Sequence, residues 1–179
     1  MRANTRTADE KTIALADEAA KVIEEAAEPK TLFRIFDCDV TENSVTVDSV
    51  VFESSRLAQN LKGCKRVILF GATLGTEVDR RIKLASFTDT AKTSAYHAAG
   101  AALIEDVCDE LEEKIKAELG VSLRQRYSPG YFDLKIEEQA KFFTLLELTK
   151  RIGLTLTDSY LMVPSKSVTA FIGIEGNDD

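Results

Sequence analysis

Apolar and polar positions recur along this chain with two periods, and the changes of period mark the elements. In residues 8–27, ADEKTIALADEAAKVIEEAA, the positions Ile13, Ala16, Ala20, Ile23 and Ala27 recur at helical spacing, and Pro29 stops the helix. TLFRIFDCDV, residues 31–40, reads as a strand with one wet face. SVTVDSVVFES opens as a β-branched alternation and runs into a short helix over residues 54–61, with Gly63 placed to end it. Val67, Ile68, Leu69 and Phe70 form a continuous apolar run, the pattern of a strand buried on both faces. Gly71 and Gly75 follow, and Thr76 with Asp79 makes a weak capping-box pattern ahead of the next helix.

Residues 88–118 read as one long helix, or two in succession. The first half is rich in small residues (Ala95, Ala98, Ala99, Gly100, Ala101, Ala102) and suits a close neighbour; the second keeps Leu103, Val107, Leu111 and Ile115 on one stripe. VSLRQRY alternates as a strand, SPGY turns the chain, and residues 136–152 predict an amphipathic helix carrying Phe142, Leu145, Leu146, Leu148 and Ile152, ended by Gly153. The stretch 154–174 predicts two strands broken at Pro164. Strands interspersed with long helices and closing on strand pairs predict an α+β fold with a largely antiparallel sheet.

Composition narrows the function classes. The 179 residues suit one domain, 44% hydrophobic and 30% charged. A net charge of −7 disfavours a nucleic-acid partner. No apolar run approaches the roughly 18 residues of a membrane span, and the N-terminal stretch lacks the apolar core of a secretory signal, so a cytoplasmic protein is expected. Three scattered cysteines, Cys38, Cys64 and Cys108, fit reduced thiols better than a disulfide framework or a metal site. The single histidine, His97, has no nucleophile elbow to serve. FGATLG, ahead of a helix, has the small residues of an anion-holding loop, but it is neither GxGxxG nor a phosphate loop with its lysine, and a tight turn is the plainer reading.

The bend RYSPGY carries more. Gly130 can take a positive φ, Pro129 sets a rigid corner, Arg126 offers a planar fork for a carboxylate, and Tyr131 offers a ring and a hydroxyl. Together they suggest a site for a small anionic ligand, against the alternative of a simple strand-to-helix turn.

RYSPGY followed by GLTLTDSYLMVPSKSV (Gly153, Leu156, Thr157, Asp158, Ser159, Tyr160, Met162, Pro164, Ser167, Val168) resembles the activation domain of cobalamin-dependent methionine synthase. The resemblance is strongest over residues 120–174 and extends more loosely upstream through GATLG and VDRRI. It implies one C-shaped α+β domain over residues 1–179, with residues 1–30 as an N-terminal helical segment, that binds S-adenosylmethionine on its concave face. That domain presents the methyl group to a cobalamin held by a neighbouring module. With an electron from a flavodoxin- or ferredoxin-like donor, this restores the methylated cofactor, the protein supplying mainly proximity.

By the same resemblance Arg126 pairs with the ligand's carboxylate, Pro129, Gly130 and Tyr131 shape the pocket, and Glu105 faces its ammonium or sulfonium charge. Ser167 is a further contact, although for it and Tyr160 a place in a strand paired into the sheet is the better reading. The chain departs from the family at residues 132–135, FDLK where Pro-Ala-Cys-Pro is usual, and it has no cobalamin-binding Asp-x-His-x-x-Gly segment. The expectation is therefore a short, free-standing relative, an accessory to methionine synthase rather than a complete enzyme. It would support reductive methylation of cob(II)alamin on a separate methionine synthase or corrinoid methyltransferase. The alternative is a non-catalytic module that docks on a corrinoid protein without using S-adenosylmethionine.

Overall fold

The computed structural model describes residues 10–175, so positions 8 and 9 of the expected N-terminal helix lie outside the described residues. The chain runs α1 (Glu10–Ala26), β1 (Lys30–Val40), β2 (Ser44–Val47), β3 (Val50–Glu53), α2 (Ser55–Asn60), β4 (Arg66–Thr73), α3 (Thr76–Ser86) and α4 (Thr90–Leu119). A bend and a 3₁₀ turn (Ile136–Glu138) lead to α5 (Gln139–Leu146), α6 (Leu148–Ile152), β5 (Thr155–Leu156), β6 (Met162–Val163) and β7 (Ser167–Ile174).

Five strands form one curled antiparallel sheet in the order β3-β2-β1-β4-β7, and β5 pairs with β6 in a separate hairpin. The expected antiparallel α+β architecture is therefore the one observed. β4, interior between β1 and β7, is buried from Val67 to the end, and its side chains alternate between two cores. Ile68, Phe70 and Ala72 face α1, α3 and α4, while Val67 and Leu69 face the β2–β3 hairpin, α2, α5 and α6. β7 divides likewise: Ala170, Ile172 and Ile174 enter the first core and Phe171 the second. In that second core Phe171 meets Phe52 and Phe142 edge-on, with centroids 4.9 and 4.7 Å away.

Several expected elements take another form. β2 and β3 are two strands, because Asp48 and Ser49 both adopt left-handed backbone (φ 47 and 67) in a two-residue hairpin turn, without the Asn-Gly pair that announces one. Residues 121–127 run beside β7 without a regular ladder. Only Leu123 and Tyr127 bridge to it, through bonds such as Tyr127 N–H to the Phe171 carbonyl at 3.0 Å. The helix expected over 136–152 breaks at Glu147, whose φ of 52 separates α5 from α6. Its apolar positions Phe142, Leu145, Leu146, Leu148 and Ile152 are nonetheless all buried, so the break serves packing.

The capping box at Thr76 and Asp79 does not form. Gly75, with φ 84, precedes α3 without a side-chain cap, and Asp79 instead accepts the Ser165 N–H at 2.7 Å. The strands around Pro164 are not partners of each other: β6 joins β5, and β7 joins the main sheet. In α1 the buried line is Ala19, Ile23 and Ala26, with Ile13 half exposed. FGATLG is no anion loop. Gly71 lies inside β4, where an added Cβ would stand 2.7 Å from Leu148 Cδ2, so this glycine admits α6.

Helix α4 is a single element, capped by the Asp89 carboxylate at one end and closed by left-handed Gly120 at the other. Its small-residue half receives a side chain rather than a helix at one point. The Lys166 stem crosses Gly100, with three of its carbons within 3.3 Å of where a Cβ would be, and its ammonium donates to the His97 carbonyl at 3.0 Å. This fixes the start of β7 against α4, beside a groove.

Candidate functional site

The groove has a volume of about 1330 Å³ and lies between the acidic side of α4, the bend 125–132, the β5–β6 hairpin and the first residues of β7. Its geometry begins with the irregular run before the bend. Because that run pairs with β7 at only a few points, Arg126 is aimed across to α4. There Glu105, Asp109 and Glu112 stand on one helix face, at spacings of four and three residues.

The Arg126 guanidinium donates from Nη1 to Asp109 Oδ1 at 2.7 Å and to Glu112 Oε1 at 2.6 Å, and from Nη2 to Glu105 Oε2 at 2.8 Å. Its side chain is 21% exposed. Burial works against its charge, but the hydrogen bond to Asp109 and the charge and hydrogen bond of Glu112 outweigh that and hold its proton more tightly than usual. Cys108, on the inner side of the same helix turn, is fully buried. Burial pushes its thiol up to about 12, with Arg126 only partly opposing.

Of the residues singled out in the sequence, Arg126, Pro129, Tyr131, Glu105 and Ser167 all line this groove. Gly130 does not. It is exposed, outside the groove lining, with φ 91, and its N–H donates to the Leu134 carbonyl at 2.8 Å, so it shapes the bend through its backbone while Pro129 beside it is buried. Ser167 belongs to β7, as its strand reading had it, yet its hydroxyl donates to the Pro164 carbonyl and shares a hydrogen bond with the Thr73 hydroxyl, both at 2.8 Å, at the groove's edge. Tyr131 and Phe132 stand at the rim, 62% and 83% exposed, and Phe132 stacks on Tyr127 at 6.3 Å. Asp133, within the departing FDLK stretch, turns away from the groove to the start of α2.

Sequence reasoning missed three features. Asp109 and Glu112 were legible only as two acids of a charged helix, although their spacing from Glu105 does place all three on one face. The buried pair Thr169 Oγ1 and Gln139 Oε1, 3.2 Å apart on the groove floor, has no sequence signal. The third is the place of Tyr160, read in the sequence as a strand residue: it lies between β5 and β6 with φ 60, and its carbonyl accepts from Gln139 Nε2 at 3.3 Å, joining that connection to the floor. Among the described residues no group of three or more His, Cys, Asp or Glu is arranged to hold a metal ion, and no helix is long and apolar enough to cross a membrane.

Chemically, the arrangement joins a guanidinium able to grip a carboxylate to a surplus of negative charge suited to a cation. A groove of this size accommodates a nucleoside-sized ligand. An amino acid joined to a positively charged centre fits both ends of that charge pattern.

The fold resembles a crystal structure of the MetH reactivation domain bound to AdoHcy, with a TM-score of 0.71 at 17% identity, over 94% of this chain and 67% of that one. No curated protein sequence matches the chain. The model of the vitamin B12 dependent methionine synthase activation domain matches residues 69–177, which include α4, the bend, the β5–β6 hairpin and β7. The chain thus belongs to the family of vitamin B12 dependent methionine synthase activation domains.

Proposed function

We propose that the protein binds S-adenosylmethionine in the groove between α4 and the Arg126 bend and supports reductive reactivation of a corrinoid on a separate methionine synthase or methyltransferase. The observation that carries this reading is Arg126, set at a rigid corner among Glu105, Asp109 and Glu112 in a groove large enough for the cofactor. The cofactor supplies a methyl group activated by its sulfonium charge, which a reduced corrinoid held by the partner accepts.

The chain's own residues bind and orient. Arg126 takes the carboxylate of the amino-acid end, and Glu105 faces the ammonium or sulfonium charge. Pro129 and Tyr131 form the wall, Gly130 lets the bend close on Leu134, and Ser167 holds the groove's edge through Thr73. The partners are a cobalamin-binding module and a flavodoxin- or ferredoxin-like electron donor, encountered in the cytoplasm. The contribution to rate is positioning of two reactants that the chain does not itself transform.

Isothermal titration with S-adenosylmethionine tests this. Saturable binding that weakens at least about tenfold in Arg126→Ala is expected, since a charge-assisted pair is removed. A folded protein that binds nothing at millimolar cofactor overturns the reading.

One observation favours a second reading, in which the module docks on a corrinoid protein without using the cofactor. Arg126 is already satisfied by three carboxylates of its own chain. Capture of a corrinoid protein by a chain that binds no S-adenosylmethionine supports that alternative.

A further inference from the structure

We propose that Glu112 and Asp109 divide the handling of Arg126 between them. Glu112 is a positioning residue that aims the guanidinium into the groove. Asp109 is a displaceable counter-ion whose charge sets the site's preference for a sulfonium cofactor over its neutral thioether product. The inference rests on the ligand reading above and assigns roles within that groove.

The two acids share one nitrogen of Arg126: both accept from Nη1, Asp109 at 2.7 Å and Glu112 at 2.6 Å. They differ in surroundings, because the Glu112 side chain is 16% exposed and that of Asp109 is 67% exposed. An incoming carboxylate that engages Nη1 must replace one of them. Removing Glu112 would strand a mostly buried charge, which is strongly unfavourable. Removing Asp109 returns an exposed carboxylate to water, at the small cost of a surface ion pair. Glu105, on Nη2 at 2.8 Å and 59% exposed, is not in competition for Nη1.

Once displaced, Asp109 is an unpaired negative charge at the mouth of the groove. It attracts a ligand that brings a positive centre and does nothing for one that has lost it. S-adenosylmethionine carries the sulfonium charge; S-adenosylhomocysteine, the product of methyl loss, does not. The acid that must step aside for either ligand therefore repays only the one that still has a methyl group to give, and product release follows from the loss of charge.

The test is isothermal titration of the wild-type protein, Asp109→Asn and Glu112→Gln with both ligands at low ionic strength, with circular dichroism melts to confirm folding. In Asp109→Asn the competitor and the attraction vanish together. S-adenosylhomocysteine should tighten about threefold while S-adenosylmethionine stays near its wild-type affinity, so the preference falls about threefold. In Glu112→Gln both ligands should weaken by roughly tenfold with the preference unchanged, as expected of a group that aims Arg126 without touching ligand. A preference that Asp109→Asn leaves at the wild-type value, or that Glu112→Gln alters more than Asp109→Asn does, overturns the inference and leaves the ligand reading standing. Wild-type protein that binds neither ligand overturns both.

Discussion

The Asp133 carboxylate accepts the backbone N–H of Ser55 at 2.8 Å, and the Ser54 hydroxyl joins it at 2.5 Å. It also reaches the Arg56 N–H at 3.2 Å. Asp133, in the FDLK stretch beside the Arg126 bend, therefore stays out of the groove and ties that bend to the first turn of α2. Ser54, itself 3% exposed, completes the cap by accepting the Leu57 N–H at 2.9 Å.

Asp133→Ala is expected to destabilise the protein by about 1 kcal/mol, the usual value of a lost cap, measured by urea denaturation. The hydrogen bond from Ser54, followed by those from the Arg56 and Ser55 amides, holds the Asp133 carboxyl below its ordinary value of 3.8. A depressed folded-state value means that the contribution is complete above that ordinary value and is lost as pH falls through the lower one. The stability gap between wild type and Asp133→Asn should accordingly persist from neutral pH down to about pH 4 and close below it. A gap that opens only in acid would refute the assignment.

The thiols should be quiet in the native protein. Burial pushes Cys108 up to about 12, and burial followed by the charge of Cys64 pushes Cys38 up to about 11. Cys64 is raised as well, by burial, with Arg124 working against it. At pH 8 a disulfide reagent should modify all three far more slowly than free cysteine, and Cys108 chiefly after unfolding, because the thiolate is the reacting form. A thiol of the folded protein that reacts at the rate of free cysteine would contradict this.

Gly173 in β7 is a packing glycine. An added Cβ would meet Cys64 Sγ at 2.8 Å, Leu61 Cδ2 at 2.9 Å and Arg124 Cγ at 3.1 Å. Three neighbours on two segments, the turn after α2 and the run before the bend, cannot all withdraw, so Gly173→Ala should lose about 1–3 kcal/mol through overpacking. Gly71→Ala meets mainly the ends of the Leu148 side chain and should lose less. Equal effects of the two substitutions in chemical denaturation would show that the crowding around Gly173 relaxes.

The chain alone determined whatever depends on neighbours in sequence. The apolar run of β4 specified a strand buried on both faces, and the stripe Phe142, Leu145, Leu146, Leu148 and Ile152 specified a buried helical face, because side-chain period and burial are one property. The order of strands and helices gave the antiparallel class, and RYSPGY located the bend, since proline and glycine restrict backbone wherever they stand.

Tertiary structure decided which groups meet across long loops. The acids of α4 are an ordinary solvated face until the run before the bend lays Arg126 against them, 14 to 21 residues along the chain. Gly71 resembles a ligand loop until α6 packs on it, and Thr76 and Asp79 resemble a cap until Ser165 arrives from the connection between β6 and β7. Periodicity records what a residue buries, whereas a charge or a hydrogen-bonding group takes its partner from whatever the folded chain brings within reach.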